Sequence, residues 1–440
     1  MEIWVGTAMF AGLLAALLIG IPVAYSLLLT ATASLVVVGG GLPALDLIAS
    51  TAWGSVATFT LTAVPVFILM GAIISVSGMG ERLYGALSTV LHGIPGGLAV
   101  ATTLACTIMA ATSGSSVATA AAIGGFAIKE MRRFGYRDSD AAGAVAAGGT
   151  LGILIPPSIP MIVYGIIAGQ SIGKLFMAGI VPGILMAFSF ALFQVLLAMR
   201  RRSRQGGALD RRRVSPRERI AALKDVVPMA ILIWIILGSM YTGFATPTES
   251  AALGTVASLI ISGVVYRELT WEKVREVLRA TARGSVMVLM IIAAAMVFGY
   301  VMTTTQVAAT ISQSVASSSL PPWALFITIN VLLIFLGCFM ETLSIIVVTM
   351  PILVPIISAL GWDLIWFGII LTINMEMALI HPPVGLNLFV VQGVAPDIRL
   401  MRIIVGALPY VFIMAAVLAI IAIYPSVATG LLSMQAGSMH

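Results

Sequence analysis

The sequence predicts an all-α polytopic membrane protein built from two inverted-topology repeats. Hydrophobic residues make up 60% of the 440 residues and charged residues only 9%, whereas an average soluble domain is roughly 25% charged. Proline-containing segments of the first half also recur in the second half at one nearly constant offset. The composition excludes a soluble enzyme, a nucleic-acid-binding domain and a disordered chain.

Each repeat is predicted to contain five membrane crossings, because a crossing needs about 20 apolar residues. The predicted crossings are residues 4–20, 22–39, 60–79, 139–168 and 174–199, then 227–243, 247–266, 285–303, 364–393 and 403–424. Each repeat also has an interfacial helix. In the second repeat it is Trp271–Arg283, where charged and apolar residues alternate at helical spacing, as expected of a helix that lies flat at the membrane surface.

Two further apolar stretches, residues 95–128 and 321–356, are too long for one crossing and are interrupted in the middle. They are therefore predicted to form re-entrant helical hairpins, which enter and leave the membrane on the same side. One hairpin belongs to each repeat.

The repeat itself is read from the prolines. Ile155-Pro156-Pro157 matches His381-Pro382-Pro383, and Ile94-Pro95-Gly96 matches Leu320-Pro321-Pro322 at the same offset. An odd number of crossings starts the second copy on the opposite side, which inverts it. The predicted organisation is repeat 1 over 1–199, a basic linker over 200–226 and repeat 2 over 227–440, with broken helices at 139–168 and 364–393.

Basic residues orient the protein. The formal net charge is +6, and every Lys and Arg except Lys174 falls on the side of the linker when the chain is followed through the predicted crossings. The positive-inside rule makes that side cytoplasmic and places both termini in the periplasm. The linker, rich in arginine from Arg200 to Lys224, is expected to be a solvated loop near anionic lipid.

Four helix breaks are predicted at membrane depth, where unpaired backbone groups are costly unless they line a cavity or bind a ligand. They are Ala111–Ser116, Gly337–Thr342, Gly148–Ser158 and Asn374–Asn387. Proline pairs free carbonyl oxygens, which suit a monovalent cation such as Na⁺, while helix N-termini favour a carboxylate. The alternative for a single break is close helix packing by small residues, but recurrence in both halves favours two cation sites around one anion site.

Polar side chains within the apolar stretches are further candidates, since ionised groups at membrane depth are usually functional. Glu341 either helps to bind a cation or proton, or is capped by the amides of its own hairpin. Glu376 either has such a role or braces the broken helix. His381 is either a proton carrier or a hydrogen-bonded structural residue. Glu249 is explained by helix capping alone.

The sequence gives little support for an enzyme. A metalloprotease needs a His-Glu-x-x-His motif, and only His381 lies at membrane depth. Gly173-Lys174 lacks the other residues of a phosphate-binding loop. Cys106 and Cys338 have no paired spacing and are expected to be core side chains.

Three segments together resemble the large membrane subunit of TRAP (tripartite ATP-independent periplasmic) transporters, and the resemblance runs essentially end to end. They are residues Gly149–Ser158, Ala245–Glu249 and His381–Val390. The resemblance implies an elevator-type carrier driven by a Na⁺ gradient in the bacterial inner membrane. It also implies a periplasmic substrate-binding protein, a small four-span membrane subunit, and organic-acid substrates such as C4-dicarboxylates and sialic acids.

The same resemblance implies the site residues. It implies neither an organic cofactor nor a nucleic-acid partner. The first Na⁺ site would comprise Ser113, Ser116, Gly152, Ile155 and Pro157. The second would comprise Gly337, Thr342, Ala378, His381 and Val384. The second departs from the family pattern, which has Gly at the position of Ala378 and Thr at that of His381. The residues predicted to face the substrate are Ser115, Ser158, Glu341 and Asn387.

An alternative keeps the fold and omits the partners. It is a stand-alone carboxylate symporter coupled to Na⁺ or H⁺, which would transport without a binding protein or small subunit.

Overall fold

The computed structural model describes residues 2–38, 44–204, 214–316 and 320–437, and over these residues it contains helices and no strand. The all-α class is therefore confirmed. The helices before the linker are α1 Glu2–Leu18, α2 Val23–Val38, α3 Ala44–Val56, α4 Ala63–Val76, α5 Met79–Val90, α6 Gly97–Ser113, α7 Ser116–Arg133, α8 Asp138–Thr150, α9 Ile159–Ile167 and α10 Ile172–Arg204.

The remaining helices run from the linker to the end of the chain. They are α11 Pro216–Ala222, α12 Val227–Ile233, α13 Ser239–Tyr241, α14 Pro247–Ile260, α15 Trp271–Thr304, α16 Val307–Ala316, α17 Pro322–Gly337, α18 Thr342–Ala359, α19 Leu364–Ile380, α20 Leu386–Val394, α21 Leu400–Ile423 and α22 Ser426–Gly437. Short π-helical segments, Trp234–Gly238 and Ile261–Val265, join α12 to α13 and extend α14.

Six helices in the described part of the chain are long and apolar enough to cross a membrane. They are Phe59–Val76, Ile172–Arg200, Pro247–Val265, Trp271–Thr304, Thr342–Ala359 and Leu400–Ile423. A bent pair, Pro216–Asp225 and Val227–Tyr241, meets the same criterion as one broken span. A polytopic membrane protein is thus confirmed, although several predicted crossings correspond to shorter apolar helices.

The second half of the chain has no separate interfacial helix at Trp271–Arg283. These residues form the start of α15, which continues without interruption to Thr304. No proline lies within the helix, and Gly284 packs against α4, where an added Cβ would lie 3.2 Å from Ile68 Cγ2. The predicted boundary between an interfacial helix and a crossing is therefore wrong.

Part of the predicted linker loop is also helical. α11 begins with a capping box, in which Ser215 Oγ accepts a hydrogen bond from Glu218 N and Glu218 accepts one from Ser215 N. The helix packs on α5, and Arg219 Nη2 donates to the His92 carbonyl over 2.8 Å. The end of the linker is thus attached to the protein rather than fully solvated.

Two helices form the centre of the packed core. Every residue of α8 from Ala141 to Thr150 is buried, as is every residue of α19 from Ile365 to Ile380. α8 is rich in Ala and Gly, which allows close packing against α21, because a Cβ on Gly406 would lie 1.8 Å from the Ser139 carbonyl oxygen. Cys106 and Cys338 are free and buried, as predicted.

The two halves contact each other in matched pairs. α7 packs on α20 and α18 packs on α9, while α2 packs on α15 and α14 packs on α4. The proline pairs Pro156-Pro157 and Pro382-Pro383 both contain a cis peptide bond. These pairings bring the hairpin of each half against the broken helix of the other, at the centre of the protein.

Candidate functional site

All four predicted helix breaks are present in the structure. The first lies at the turn between α6 and α7, residues 113–116, here called tip 1. The second lies between α17 and α18, residues 338–341, here called tip 2. α8 and α9 are separated at residues 151–158, and α19 and α20 at residues 381–385, here called break 1 and break 2.

A cavity of about 370 Å³ lies where both tips meet α4 and α15. Tip 1 contributes Ser115, and tip 2 contributes Glu341 next to Thr342 of α18. α15 contributes a second acid, Glu276, which the sequence analysis did not single out. Among the described residues that line this cavity there is no Lys, Arg or His, so an anion would have to be met by amides or by bound cations.

Tip 1 is in close contact with break 1. Gly114 has φ +60°, and a Cβ on it would lie 2.8 Å from the Pro157 carbonyl oxygen. A Cβ on Gly152 would lie 2.7 Å from the Ser115 carbonyl oxygen. Only glycine permits both approaches. The structure therefore brings together the tip and broken-helix residues predicted for the first Na⁺ site.

The side chains at this contact are neutral oxygen and amide groups. Ser113 Oγ lies 2.8 Å from Thr119 Oγ1, and Ser116 Oγ accepts a hydrogen bond of 2.7 Å from Asn387 Nδ2. Asn387 is fully buried, and its Oδ1 has no hydrogen-bond partner among the described residues. Neutral hydroxyl, amide and carbonyl oxygens are the donor set that a hard monovalent cation prefers, so these residues fit the predicted ion.

The structure also defines what surrounds two other predicted members of the first Na⁺ site, Ile155 and Pro157. Ile155 is buried, and its Cγ1 would lie 2.7 Å from a Cβ on Gly183 of α10. The Pro157 carbonyl faces tip 1, as its approach to Gly114 shows. The side chain of Ile155 therefore packs against α10, which leaves its backbone as the only part able to contact an ion.

The second predicted Na⁺ site contains different chemical groups from the first. Gly337 is so close to Ala378 that a Cβ on Gly337 would lie 2.2 Å from Ala378 Cβ. His381 Nδ1 lies 2.5 Å from the Pro382 carbonyl oxygen and 3.5 Å from Cys338 Sγ. The imidazole is thus engaged with its neighbours, and the site has a thiol and an imidazole where the first site has hydroxyl groups. Thr342 is buried, whereas Val384 is 39% exposed.

Glu341 occupies the N-cap position of α18, but its side chain makes no capping hydrogen bond. Capping by the amides of its own hairpin is therefore excluded in this conformation. The side chain lines the cavity instead. Glu249, in contrast, forms the predicted capping box with Thr246.

The four residues predicted to face the substrate are divided by the structure. Ser115 and Glu341 line the cavity. Ser158 is fully buried as the N-cap of α9, where its Oγ donates to the Ile153 carbonyl over 2.6 Å and accepts from Met161 N. Asn387 is buried against tip 1. The last two therefore lie away from the cavity wall, because both side chains are used to hold helix ends in place.

Glu376 is fully buried in α19, and both of its carboxylate oxygens lack a hydrogen-bond partner among the described residues. Bracing of the broken helix by hydrogen bonds from this side chain is therefore not observed.

Sequence reasoning missed two polar contacts that hold the first helix of each hairpin. Gln194 of α10 is hydrogen-bonded to Thr103 of α6 and to Tyr410 of α21. Asn374 of α19 donates to Asn330 of α17 over 2.5 Å. A glutamine or asparagine inside an apolar helix is costly to bury unpaired, which is the signal that could have identified them.

Two hairpins and two broken helices that converge on one cavity, within a bundle of apolar helices, define a membrane transporter. Comparison with known proteins identifies the family. The chain matches the family described as "Tripartite ATP-independent periplasmic transporter, DctM component" over residues 10–427 and belongs to it.

Relatives of different substrate classes are similar over most of the chain. The "C4-dicarboxylate TRAP transporter large permease protein DctM" of Pseudomonas aeruginosa is 42% identical, over 85% of this chain and 86% of that protein. The "Sialic acid TRAP transporter large permease protein SiaM" of Vibrio cholerae is 33% identical, over 94% of this chain and 95% of that protein. The "Isethionate TRAP transporter permease protein DctMQ" of Oleidesulfovibrio alaskensis is 38% identical, over 93% of this chain and 64% of that protein.

Among solved structures, the YdaH transporter of Alcanivorax borkumensis aligns with a TM-score of 0.63 and 14% sequence identity, covering 87% of this chain and 88% of that chain. At this identity the likeness shows a shared fold alone.

Proposed function

We propose that this chain is the large membrane subunit of a TRAP transporter that imports an organic acid together with Na⁺ across the bacterial inner membrane. Membership of the family gives the class of transporter. The observation that carries the coupling ion is made at tip 1, which contacts break 1. Asn387, at the start of α20, donates to Ser116 Oγ there, and its buried Oδ1 has no hydrogen-bond partner among the described residues.

The cavity explains why a cation would be needed for anion transport. Its only acidic lining side chains among the described residues are those of Glu276 and Glu341, and none of these lining residues is basic. An anionic substrate therefore meets no positively charged side chain there, and any ionised carboxylate would repel it strongly where water is excluded. Bound Na⁺ ions and the amides at the N-termini of α7 and α18 supply the compensating positive charge.

The substrate class is proposed from the relatives. Their names include C4-dicarboxylate, sialic acid and isethionate transporters, and all three substrates carry an acidic group. An organic acid is therefore the common feature, with a C4-dicarboxylate or a sialic acid as the first compounds to examine.

The proposal also includes two partner proteins and a movement of part of this chain during transport. A periplasmic binding protein would deliver the substrate, and a small four-span subunit would accompany this chain. The mobile part would comprise both hairpins and both broken helices of two inverted repeats. α10 and α21 would move with them, because α10 packs on α6 and α21 packs closely on α8. The other spans would form the scaffold, with both termini in the periplasm. Supporting this division, α7 packs on α20 and α18 packs on α9.

Reconstitution tests the proposal. The chain is placed in liposomes with its small subunit, and uptake is measured with the binding protein and its identified ligand under an imposed Na⁺ or proton gradient. We expect uptake that requires the binding protein and an inward Na⁺ gradient. Uptake by this chain alone would favour the stand-alone symporter, and uptake driven only by protons would contradict Na⁺ coupling.

The first Na⁺ site is tested in the same assay. Ser113→Ala should lower the uptake rate and weaken its dependence on Na⁺ concentration. Ser189→Ala is the matched control, because Ser189 Oγ donates only to the Leu185 carbonyl of its own helix and should behave as the wild type. An unchanged Na⁺ response in Ser113→Ala would remove Ser113 from the site.

A further inference from the structure

A second cavity, of about 130 Å³, lies at the base of the first hairpin and is separate from the cavity between the tips. It is enclosed by the turn before α6, the turn between α7 and α8, and the helices α10 and α21. The basic residues near this cavity lie on the side of the protein that is predicted to face the cytoplasm. Nothing in the proposed transport reaction uses this cavity.

The floor of the cavity is polar and fixed in place. Gln194 is 3% exposed, and its Nε2 donates to Thr103 Oγ1 and to Tyr410 Oη over 2.8 and 3.0 Å. The adjoining wall is held by the close approach of Gly96, where a Cβ would lie 2.8 Å from the Gln194 carbonyl oxygen. The space is therefore part of the packed structure and not a gap between loosely joined helices.

Positive charge is concentrated at the opening. Arg137 lines the cavity and makes no ion pair or hydrogen bond with a described residue through its side chain. Arg219 lies beside the opening, held to the His92 carbonyl, and it has no acidic partner among the described residues either. The one acid in the lining, Asp140, already interacts within the protein.

The surroundings of the opening are apolar and exposed. Ile94 at the rim is 44% exposed, and on α10 the side chains of Leu196 and Met199, next to the lining residues Leu197 and Ala198, are 51% and 53% exposed. In a membrane protein such side chains face lipid. An occupant with an anionic head and an apolar body matches both the cations at the opening and the apolar surface beside them.

We propose that this cavity binds the phosphate headgroup of an anionic phospholipid from the cytoplasmic leaflet, with Arg137 as the principal phosphate ligand and Arg219 beside it. Basic pockets between membrane helices on this side are the usual sites of such headgroups. The bound lipid joins the base of the first hairpin to α10 and α21, and its acyl chains lie along the exposed face of α10.

Thermal unfolding of the purified full-length chain in detergent tests the proposal with phosphatidylglycerol and phosphatidylcholine as the added lipids. We expect phosphatidylglycerol to raise the melting temperature more than phosphatidylcholine does. Arg137→Gln should lose at least half of that difference. It removes no capping bond, because the Arg137 side chain makes none at the start of α8.

Arg133→Gln is the matched control. Its side chain is 78% exposed and lies 3.9 Å from Glu130, on the same turn of chain but outside the lining, so the response to phosphatidylglycerol should be retained. Equal responses to the two lipids, or a full response in Arg137→Gln, would overturn the proposal.

Native mass spectrometry provides a second readout that does not depend on unfolding. Copurified phosphatidylglycerol should be retained by the wild type and by Arg133→Gln, and reduced in Arg137→Gln. Equal retention in all three would contradict the assignment. If inorganic phosphate alone reproduces the stabilisation, and Arg137→Gln abolishes it, the lipid is refuted as the source.

Discussion

Asn387 joins the two halves of the protein at the candidate ion site. Its Nδ2 donates to Ser116 Oγ over 2.7 Å and to the Ala146 carbonyl over 3.2 Å, so one amide group holds α7 and α8 from the start of α20. The other atom of the same amide, Oδ1, is buried without a described partner. A side chain that the sequence suggests for the substrate is thus better placed to organise the ion site.

Replacing Asn387 with Leu should lower both stability and transport. The substitution removes two buried hydrogen bonds, each worth about 1 kcal/mol, and deletes the free oxygen. We expect a lower melting temperature and an uptake rate reduced by about tenfold or more, as measured in detergent and in liposomes. Gln170→Leu is the control, because the Gln170 side chain donates only to the nearby Ala168 carbonyl. A wild-type uptake rate in Asn387→Leu would show that the amide is dispensable.

Gly152→Ala tests the contact between tip 1 and break 1. The new methyl group would lie 2.7 Å from the Ser115 carbonyl oxygen, so the tip must shift. We expect strongly reduced uptake and a higher Na⁺ concentration for half-maximal rate. Gly393→Ala, where an added Cβ meets nothing within 4 Å, should transport normally. Equal Na⁺ responses in both variants would argue against an ion at this contact.

At the scale of the elements, an ion-pair cluster fastens the end of α7 to α8 and α21. Arg132 pairs with Asp397 and with Asp138, and Arg402 pairs with Asp138 over 2.7 Å. The hydrogen bond from Arg132 lowers the pKa of the Asp397 carboxyl below its ordinary value. These side chains are partly exposed to solvent, so the cluster positions helix ends and adds little to stability.

The lowered pKa of Asp397 determines how the effect of Asp397→Asn on stability should depend on pH. Since the folded-state pKa is lowered, the stabilisation is complete above the ordinary Asp pKa of about 4 and is lost as pH falls through the lowered value. The melting temperature of the wild type should therefore exceed that of the variant slightly at pH 7, and the difference should disappear in acid. High salt should also reduce it. A difference that grows as the pH falls would contradict this account.

The helix breaks could be predicted because proline and glycine act locally. Pro156-Pro157 and Pro382-Pro383 interrupt helices wherever the rest of the chain lies, and both breaks are found. The boundary predicted within α15 is wrong because it rests on a change from charged to apolar residues, and no proline interrupts Trp271–Thr304. The orientation of Asn387 depends on Ser116, which no local pattern reveals.

For the molecule as a whole, the division into a mobile part and a scaffold can be tested by crosslinking. Gly299 of α15 and Pro351 of α18 lie on opposite sides of the proposed boundary, and a Cβ on Gly299 would lie 3.7 Å from Pro351 Cβ. This separation suits a disulfide. In a variant without Cys106 and Cys338, oxidation of Gly299→Cys with Pro351→Cys should stop uptake, and reduction should restore it.

The matched crosslink lies within the proposed mobile part. A Cβ on Gly124 would lie 4.0 Å from Val394 Cβ, which joins α7 to α20. Oxidation of Gly124→Cys with Val394→Cys should therefore leave uptake intact. If the first crosslink forms and uptake continues, α18 does not move past α15 during transport.

The hydrogen bond between Asn387 and Ser116 can form only late in the synthesis of the chain. Its two residues are 271 positions apart. At roughly 5–20 residues per second, the ribosome needs tens of seconds after completing tip 1 to reach the residue that secures it. Throughout that interval the first hairpin is already made but lacks its permanent neighbour.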